Sequence, residues 1–552
     1  MPSSSGRTYD YERSILLVSS AIFGLTSYWR LRNIKQAKER RARSGRAVIK
    51  AGASRRRLSG VNCSSNGKSG RDGSGSDGTD IHGHNHSRSD DEYHEEEEKR
   101  LSQQSNVSVR CIRSLSPATD YLSAFLKGLS YLCDVESRPD GYIPFCMAEN
   151  RLCADLLSQR LLQLSTTTAT FGDPAVYGYN NFLGLPLARQ ALAYFLAKRF
   201  LLTEQESPVT LTHALTYINP DHIGIGAGAA AVLNSLFYLL GDKGDCCLIP
   251  APYYAAFEND MSVVAGIIPY AVHMANPIVG PSESELDLAY MEAKSQGLNP
   301  KFVLITNPNN PLGVIYGKDI LLAAVGWARK RNIHTIMDEI YALSTHQRYG
   351  HNFQSIIKIL DNQLKNDVHF VWSISKDFGA SGLRFGCVYS QNETFLQGMA
   401  NLNVFAGVSN PIQMTMSELL TDDDFVDLYL DESRARLHQS YVICIEKIEE
   451  MVLPFVPAEA GQFIYLDLSS LLPEKTFEWE RKLCQLFVDY ARLILTPGES
   501  QRERMPGMIR LCYAWVTPDV LKIGMERMSR LVQKIRRLDW SDLHEGTLSG
   551  IL

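Results

Sequence analysis

Between residues 111 and 540 the chain alternates short apolar runs with longer segments whose apolar positions recur every three or four residues. The runs at 247–249, 267–272, 302–306, 334–337, 369–373 and 385–389 predict β-strands. Several are apolar at both odd and even positions, as in a parallel sheet covered on both faces. Helical spacing falls between them, at 230–240 and 320–331. Strand and helix in alternation predict an α/β fold with a large, mostly parallel sheet. After Pro411 the pattern changes. A long helical stretch covers 422–452, short strands follow at 463–468 and 508–513, and a last helix begins with Thr517 as N-cap and Pro518 at its first position. These segments predict a smaller α+β part.

The first hundred residues lack this alternation. Residues 14–29 form a short apolar run followed by Arg30, Arg32, Lys35, Lys38, Arg40 and Arg41. The run falls short of the roughly 20 residues that span a bilayer. With its basic flank, segment 1–50 is read as an anchor or targeting segment, with a transmembrane helix, an organelle-targeting peptide and a surface amphipathic helix competing. The location is accordingly cytoplasmic, with membrane attachment through residues 14–29 or organelle targeting as the variants. Residues 51–110 are rich in Ser, Gly, Arg, Asp and His and hold too little apolar surface to offset chain entropy, so a disordered linker is expected. His82, His84 and His86 alternate there, near glutamates 95–98. A solvated linker accounts for them better than a metal site, since no fold fixes ligand geometry, and no metal is expected. The remaining organisation reads as 111–205, an N-terminal part of the small domain with interface residues; 206–410, the large domain; 411–540, the C-terminal small domain; and 541–552, a tail.

Composition narrows the function. The 552 residues carry 56 Lys and Arg against 61 Asp and Glu, a net charge of −5 mixed along the chain, which excludes the basic face of a nucleic-acid protein. Eleven cysteines without a C-x-x-C pair fit a reducing compartment.

Candidate chemistry sits at the ends of the predicted strands. Ser373-Ile-Ser-Lys376 is followed eight residues after the lysine by Arg384. A lysine at a strand end among small hydroxyls can condense with an aldehyde and move protons, and Ser373 with Arg384 can flank an anion. Alone, each is equally a surface feature. Upstream lies the loop Asn307-Pro-Asn-Asn310-Pro-Leu-Gly313, then Asp338-Glu-Ile-Tyr341 closing another buried strand. A carboxylate placed there is costly unless paired, although a helix N-cap would also explain it. Gly224-Ile-Gly-Ala-Gly228-Ala229-Ala230 opens a helix whose free amides attract phosphate. Of Tyr253 and Tyr254, either can stack on a planar group or both can be core.

Together, and in this order, these pieces resemble the class I/II aminotransferase superfamily, fold-type I enzymes dependent on pyridoxal 5'-phosphate (PLP). The string M-A-E-N-R-L around Glu149, F-L-G-L-P at Phe182, P-Y-Y, T-N-P-N-N-P-L-G, D-E-I-Y, S-I-S-K and P-G-M-I-R-L-C-Y-A at Arg510 is most similar to the 1-aminocyclopropane-1-carboxylate (ACC) synthase-like group. The resemblance spans 141–530. It implies a fold-type I transferase with a large mostly parallel-sheet domain and a smaller domain built from N- and C-terminal segments. It implies that Lys376 holds the cofactor and shuttles a proton, that Asp338 pairs with the ring nitrogen, and that Tyr341 and Asn310 hold the ring oxygen. Tyr254 would stack on the ring, the Ala229 and Ala230 amides with Ser373 and Arg384 would bind the phosphate, and Arg510 and Glu149 would face the substrate. It also implies a homodimer.

One departure stands out. Relatives carry a tyrosine where this chain has Phe182, so a hydrogen bond worth about 1 kcal/mol is missing unless Tyr177 or Tyr179 replaces it. The expected activity is amino transfer between an amino acid and a 2-oxo acid. ACC synthase chemistry (γ-elimination on S-adenosylmethionine) and C–S β-lysis are the alternatives, and an inactive PLP-fold binding protein is the alternative of another class.

Overall fold

The computed structural model describes residues 99–114, 120–164, 171–172, 174–202, 209–346 and 353–537. The apolar run at 14–29, the histidines of the linker and the tail lie outside them. No helix among the described residues is long and apolar enough to cross a membrane. The chain forms two compact units, Met1–Pro117 and Ala118–Leu552. In the first, residues 99–105 are helical and a second helix covers Val109–Ser114.

The second unit is built on a seven-stranded sheet. In chain order its strands are β1 (Ile223–Gly226), β2 (Asp245–Ala251), β3 (Ile268–His273), β4 (Asn299–Thr306), β5 (His334–Asp338), β6 (Val368–Ser373) and β7 (Gly386–Ser390). Their spatial order is β1-β7-β6-β5-β4-β2-β3. From β3 to β6 all neighbours are parallel, whereas β7 runs antiparallel to both β6 and β1. The reversed direction of β7 was invisible in the sequence, because a strand buried on both faces reads the same either way.

Alternate residues of the central strands feed cores on opposite faces. Cys246, Leu248, Val303 and Ile305 join the core containing Trp327 and Trp372, while Cys247, Ile249, Phe302 and Leu304 join the one containing Phe237 and Met399. This is why both parities had to be apolar. On one face pack helices Glu283–Ser295 and Lys318–Lys330, and on the other Ala229–Leu240 and Glu393–Ala406.

A second sheet, all antiparallel, has the order β10-β11-β9-β8, with β8 at Phe455–Val456, β9 at Phe463–Asp467, β10 at Thr496–Pro497 and β11 at Met508–Cys512. Its core joins Phe125, Ile143 and Phe145 to residues of helices Asp423–Glu450 and Pro518–Ile535. Thr517 caps the latter by accepting from the Val520 amide, with Pro518 at the first position as the sequence predicts.

Two segments correct the sequence reading. Ile223–Gly226, taken as part of a glycine turn, is a strand, and only Gly228, at φ 82°, needs glycine's freedom. The change of texture after Pro411 conceals a helix, Asn410–Thr421, with the proline in its first turn.

Candidate active site

Strand β6 is buried throughout and ends at Ser373, whose hydroxyl accepts from the Ser375 amide and caps the short helix Ile374–Asp377. That turn delivers Lys376, and its Nζ donates to the Ala148 carbonyl at 2.6 Å. Burial pulls the pKa of Lys376 below the ordinary lysine value, against the nearby Glu149 carboxylate. The amine is therefore easier to deprotonate. The turn is held from below by Asp377, a residue the sequence reading passed over. It accepts from the Ser344 hydroxyl (2.7 Å), the Trp372 indole (2.9 Å) and the Leu343 amide (3.2 Å).

Asp338 closes the adjacent strand β5, paired with Thr306 of β4 and Val371 of β6. It is 5% exposed. Its Oδ2 lies 3.5 Å from the Thr306 hydroxyl, and Oδ1 has no hydrogen-bond partner in the protein. Burial raises its pKa to about 7, offset in part by the Ile340 amide, Thr306 and Lys376. A buried carboxylate with a bare oxygen calls for a cationic donor.

Three predicted residues form a relay. Arg510 on β11 donates through Nη1 to Asn310 Oδ1 (2.9 Å), and Asn310 Nδ2 donates to the Tyr341 hydroxyl (3.3 Å). Arg510 also donates through Nη2 to the Cys146 carbonyl (2.9 Å) and to Thr496 Oγ1 (3.3 Å), while its Nε has no partner. The relay joins the loop after β4, the turn after β5 and the small sheet.

The two tyrosines after β2 separate in role. Tyr253 is buried and donates to Glu258 (2.6 Å), which Arg502 grips with two bonds of 2.8 and 2.9 Å. Tyr254 is only partly buried, edge-on to Phe257 at 5.3 Å and within electrostatic reach of Asp338 and Arg510. It is the ring free to face a planar group.

Gly228 opens helix Ala229–Leu240 without a side-chain cap, which leaves the first-turn amides open to an anion. Arg384 lies against it: a Cβ at Gly228 would meet Arg384 Nη2 at 2.7 Å. Arg384 donates to the carbonyls of Ser381 (2.9 Å) and Ala227 (2.8 Å). Ser373 is turned inward, fully buried and bonded to the Phe385 carbonyl, with Ser375 Oγ 2.7 Å away. Ser375 is thus a second hydroxyl at this end, which the S-x-S spacing could have signalled. Glu149 accepts from Ser381 (2.7 Å) and Trp515 (3.2 Å). Burial acts to raise its pKa, but Ser381, Arg151 and Lys376 outweigh it and hold the carboxyl below the usual range.

Phe182 is partly exposed and lies 6.1 Å from the Tyr179 ring. Tyr177 spends its hydroxyl on the Phe171 carbonyl and Tyr179 is almost fully exposed. A separate open groove of about 510 Å³, lined by Leu187, Ala191, Leu211 and Met414, includes none of these residues.

A reactive lysine, an unpartnered buried carboxylate one strand away and an anion cradle at a helix start fit PLP, and they define a fold-type I PLP-dependent enzyme. Comparison agrees. Residues 164–528 match the family described as aminotransferase class I and II, and the chain belongs to that family. Among similar proteins, 1-aminocyclopropane-1-carboxylate synthase 6 of Arabidopsis thaliana is 31% identical over 401 residues, covering 71% of this chain and 78% of that protein. The 1-aminocyclopropane-1-carboxylate synthase-like protein 1 of Bos taurus is 31% identical over 408 residues, covering 72% and 78%. In fold, the aspartate aminotransferase of Thermus thermophilus with maleate matches 77% of this chain and 99% of its own, with a TM-score of 0.61 at 19% identity.

Proposed function

We propose that the protein is an aminotransferase of the ACC-synthase-like group, moving an amino group between an amino acid and a 2-oxo acid. The observation that carries the reading is the joining of Arg510, Asn310 and Tyr341 in one hydrogen-bonded relay beside Lys376 and Asp338. When bound, PLP supplies an aldehyde for an amine to join and a ring that draws electrons from the substrate Cα. Lys376, its amine brought toward neutrality by burial, is the nucleophile and the group that takes and returns the Cα proton. Asp338 offers its bare Oδ1 to a cationic ring N–H. Tyr341 and Asn310 hold the ring oxygen and Tyr254 covers one ring face. Arg384, Ser375 and the amides of Ala229 and Ala230 would hold the phosphate, while Ser373, expected there from the sequence, spends its hydroxyl on the Phe385 carbonyl and braces Ser375 instead. Arg510 receives the α-carboxylate in a two-pronged grip, with Asn310 and Thr496 fixing its plane.

The names of the plant relatives favour a second reading, ACC synthesis from S-adenosylmethionine. Phe182 weighs against it, since it brings no hydroxyl to the position. Purified holoenzyme given amino acids with 2-oxoglutarate, and separately S-adenosylmethionine, discriminates the two. Oxo-acid turnover is expected, and ACC release without any oxo-acid turnover would reverse the order. The exposed Tyr177, Tyr179, Val404 and Phe405 make an apolar face suited to a second copy of the chain, and sedimentation should give a dimer.

A further inference from the structure

The relay of Arg510, Asn310 and Tyr341 draws on two separate parts of the fold, and a short turn of the small domain joins them. Residues 458–461 lead into β9, which pairs with β11 so that Tyr465 stands opposite Arg510. The turn is therefore built onto the same sheet as the arginine. It is bonded to two segments of the large domain. One is the loop after β4 that carries Asn310: the amides of Glu459 and Ala460 both donate to the Gly313 carbonyl, at 2.8 and 2.9 Å. The other is the segment that braces the Lys376 turn. There the His346 amide donates to the Glu459 carbonyl (2.9 Å) and the Gly461 amide to the Ser344 carbonyl (2.8 Å), while the Ser344 hydroxyl holds Asp377 (2.7 Å).

The approach is close. Gly313 has φ 70°, and a Cβ there would meet Ala458 Cβ at 2.8 Å and the Ala460 carbonyl oxygen at 2.9 Å. The loop closes on itself through Gly313 N to the Asn309 carbonyl (2.9 Å), Asn309 N to the Val314 carbonyl (2.9 Å) and Leu312 N to Asn309 Oδ1 (3.1 Å). Those bonds fix its shape and leave its orientation toward Arg510 to be set from outside. The two backbone bonds from the turn converge on a single atom, the Gly313 carbonyl oxygen, so they act as a pivot. A second point is needed to stop rotation about it. Glu459, the one polar side chain among residues 458–461, supplies that point: its Oε2 accepts from the Ile315 amide at 2.9 Å. A carboxylate bonded to a backbone amide is about twice as strong a tie as a neutral pair.

We propose that Glu459 is a positioning residue for carboxylate recognition. By holding Ile315 it sets the loop so that Asn310 Oδ1 meets Arg510 Nη1 at 2.9 Å and keeps the guanidinium in its plane. It acts through Asn310 and Arg510, not on the substrate itself. The link to substrate rests on the reading of Arg510 as the α-carboxylate site, but the hold of Glu459 on the loop does not.

The test is calorimetric titration of the holoenzyme with butyrate, which carries a carboxylate and no amino group. Glu459→Ala should bind butyrate about tenfold more weakly than wild type, the loss of one charge-assisted bond. Glu459→Gln keeps an oxygen within reach of the Ile315 amide and should stay within about threefold of wild type. Glu459→Asp keeps the charge but is one methylene short, so it should behave like Ala, and it carries the test if the alanine variant does not fold. A loss of fold stability alone would not separate Gln from Asp in this way. Unchanged butyrate affinity in both Ala and Asp, or an equal loss in Gln, overturns the proposal. Arg510→Lys is the control and should also bind butyrate more weakly. If it does not, the reading of Arg510 fails, and hydrogen exchange of the apoprotein across residues 313–316 decides the role of Glu459. That exchange should be about tenfold faster in Glu459→Ala than in Glu459→Gln, and equal rates overturn the proposal.

Discussion

Replacing Asp338 by Asn tests the central electrostatic claim with opposite signs in the two forms of the protein. In the folded chain the carboxyl is 5% exposed, one oxygen is bare, and burial moves its pKa from 3.8 to about 7. At 1.36 kcal/mol per tenfold change in acidity, this corresponds to up to about 4 kcal/mol. Because the folded apoprotein binds this proton more tightly than the unfolded chain does, the stabilising contribution is complete below about pH 4. It is lost as pH rises through about 7. Above pH 7 the apoprotein therefore carries a buried charge that Asn lacks, and apo Asp338→Asn should unfold at higher denaturant than wild type at pH 8. With PLP the order reverses. The same carboxylate faces a cationic ring nitrogen, and its loss should weaken cofactor affinity by up to about a thousandfold. Urea titrations of both apoproteins from pH 4 to 8 and absorbance titrations with PLP at pH 8 measure the two effects. Glu339, also raised by burial, to about 8, adds a slope of the same sign to both proteins, so the difference between them isolates Asp338. Equal cofactor affinity, or an identical pH slope in the two apoproteins, refutes the assignment.

Lys376→Ala should abolish turnover, and borohydride treatment should label wild type with PLP and leave the variant unlabelled, read by mass spectrometry. Arg510→Lys keeps the charge but loses the planar grip and the bonds to Asn310 and Thr496, so kcat/KM should fall roughly a hundredfold, about 3 kcal/mol. Gly228→Ala forces a side chain into φ 82° and against Arg384 Nη2 at 2.7 Å. About 1–2 kcal/mol of strain and a displaced guanidinium should weaken PLP binding tenfold or more in an equilibrium titration. Glu258→Gln weakens the clasp of Arg502 and Tyr253, and should lower Tm by a few degrees for a loss of about 1 kcal/mol.

What the sequence determined by itself is local or periodic. Apolar runs at both parities marked the central strands because each must satisfy a core on either face. Thr517 with Pro518 marked a helix start because capping acts within one turn. Lys376, Asp338 and the loop of Asn310 stood out because each sits at a strand end or turn that the residue pattern shows, whereas Arg510, in the middle of β11, and the roles of all four came from the resemblance of the ordered motifs to a known family. Direction and depth came only from tertiary structure. The antiparallel course of β7, the strand character of Ile223–Gly226, the inward turn of Ser373 with Ser375 beside it, and the anchoring of Lys376 by Asp377 depend on neighbours far along the chain. So does the pairing of Arg510 on the small sheet with Asn310 after β4, 200 positions apart. No spacing rule brings those two together, because their contact exists only once the large sheet and the small one have packed.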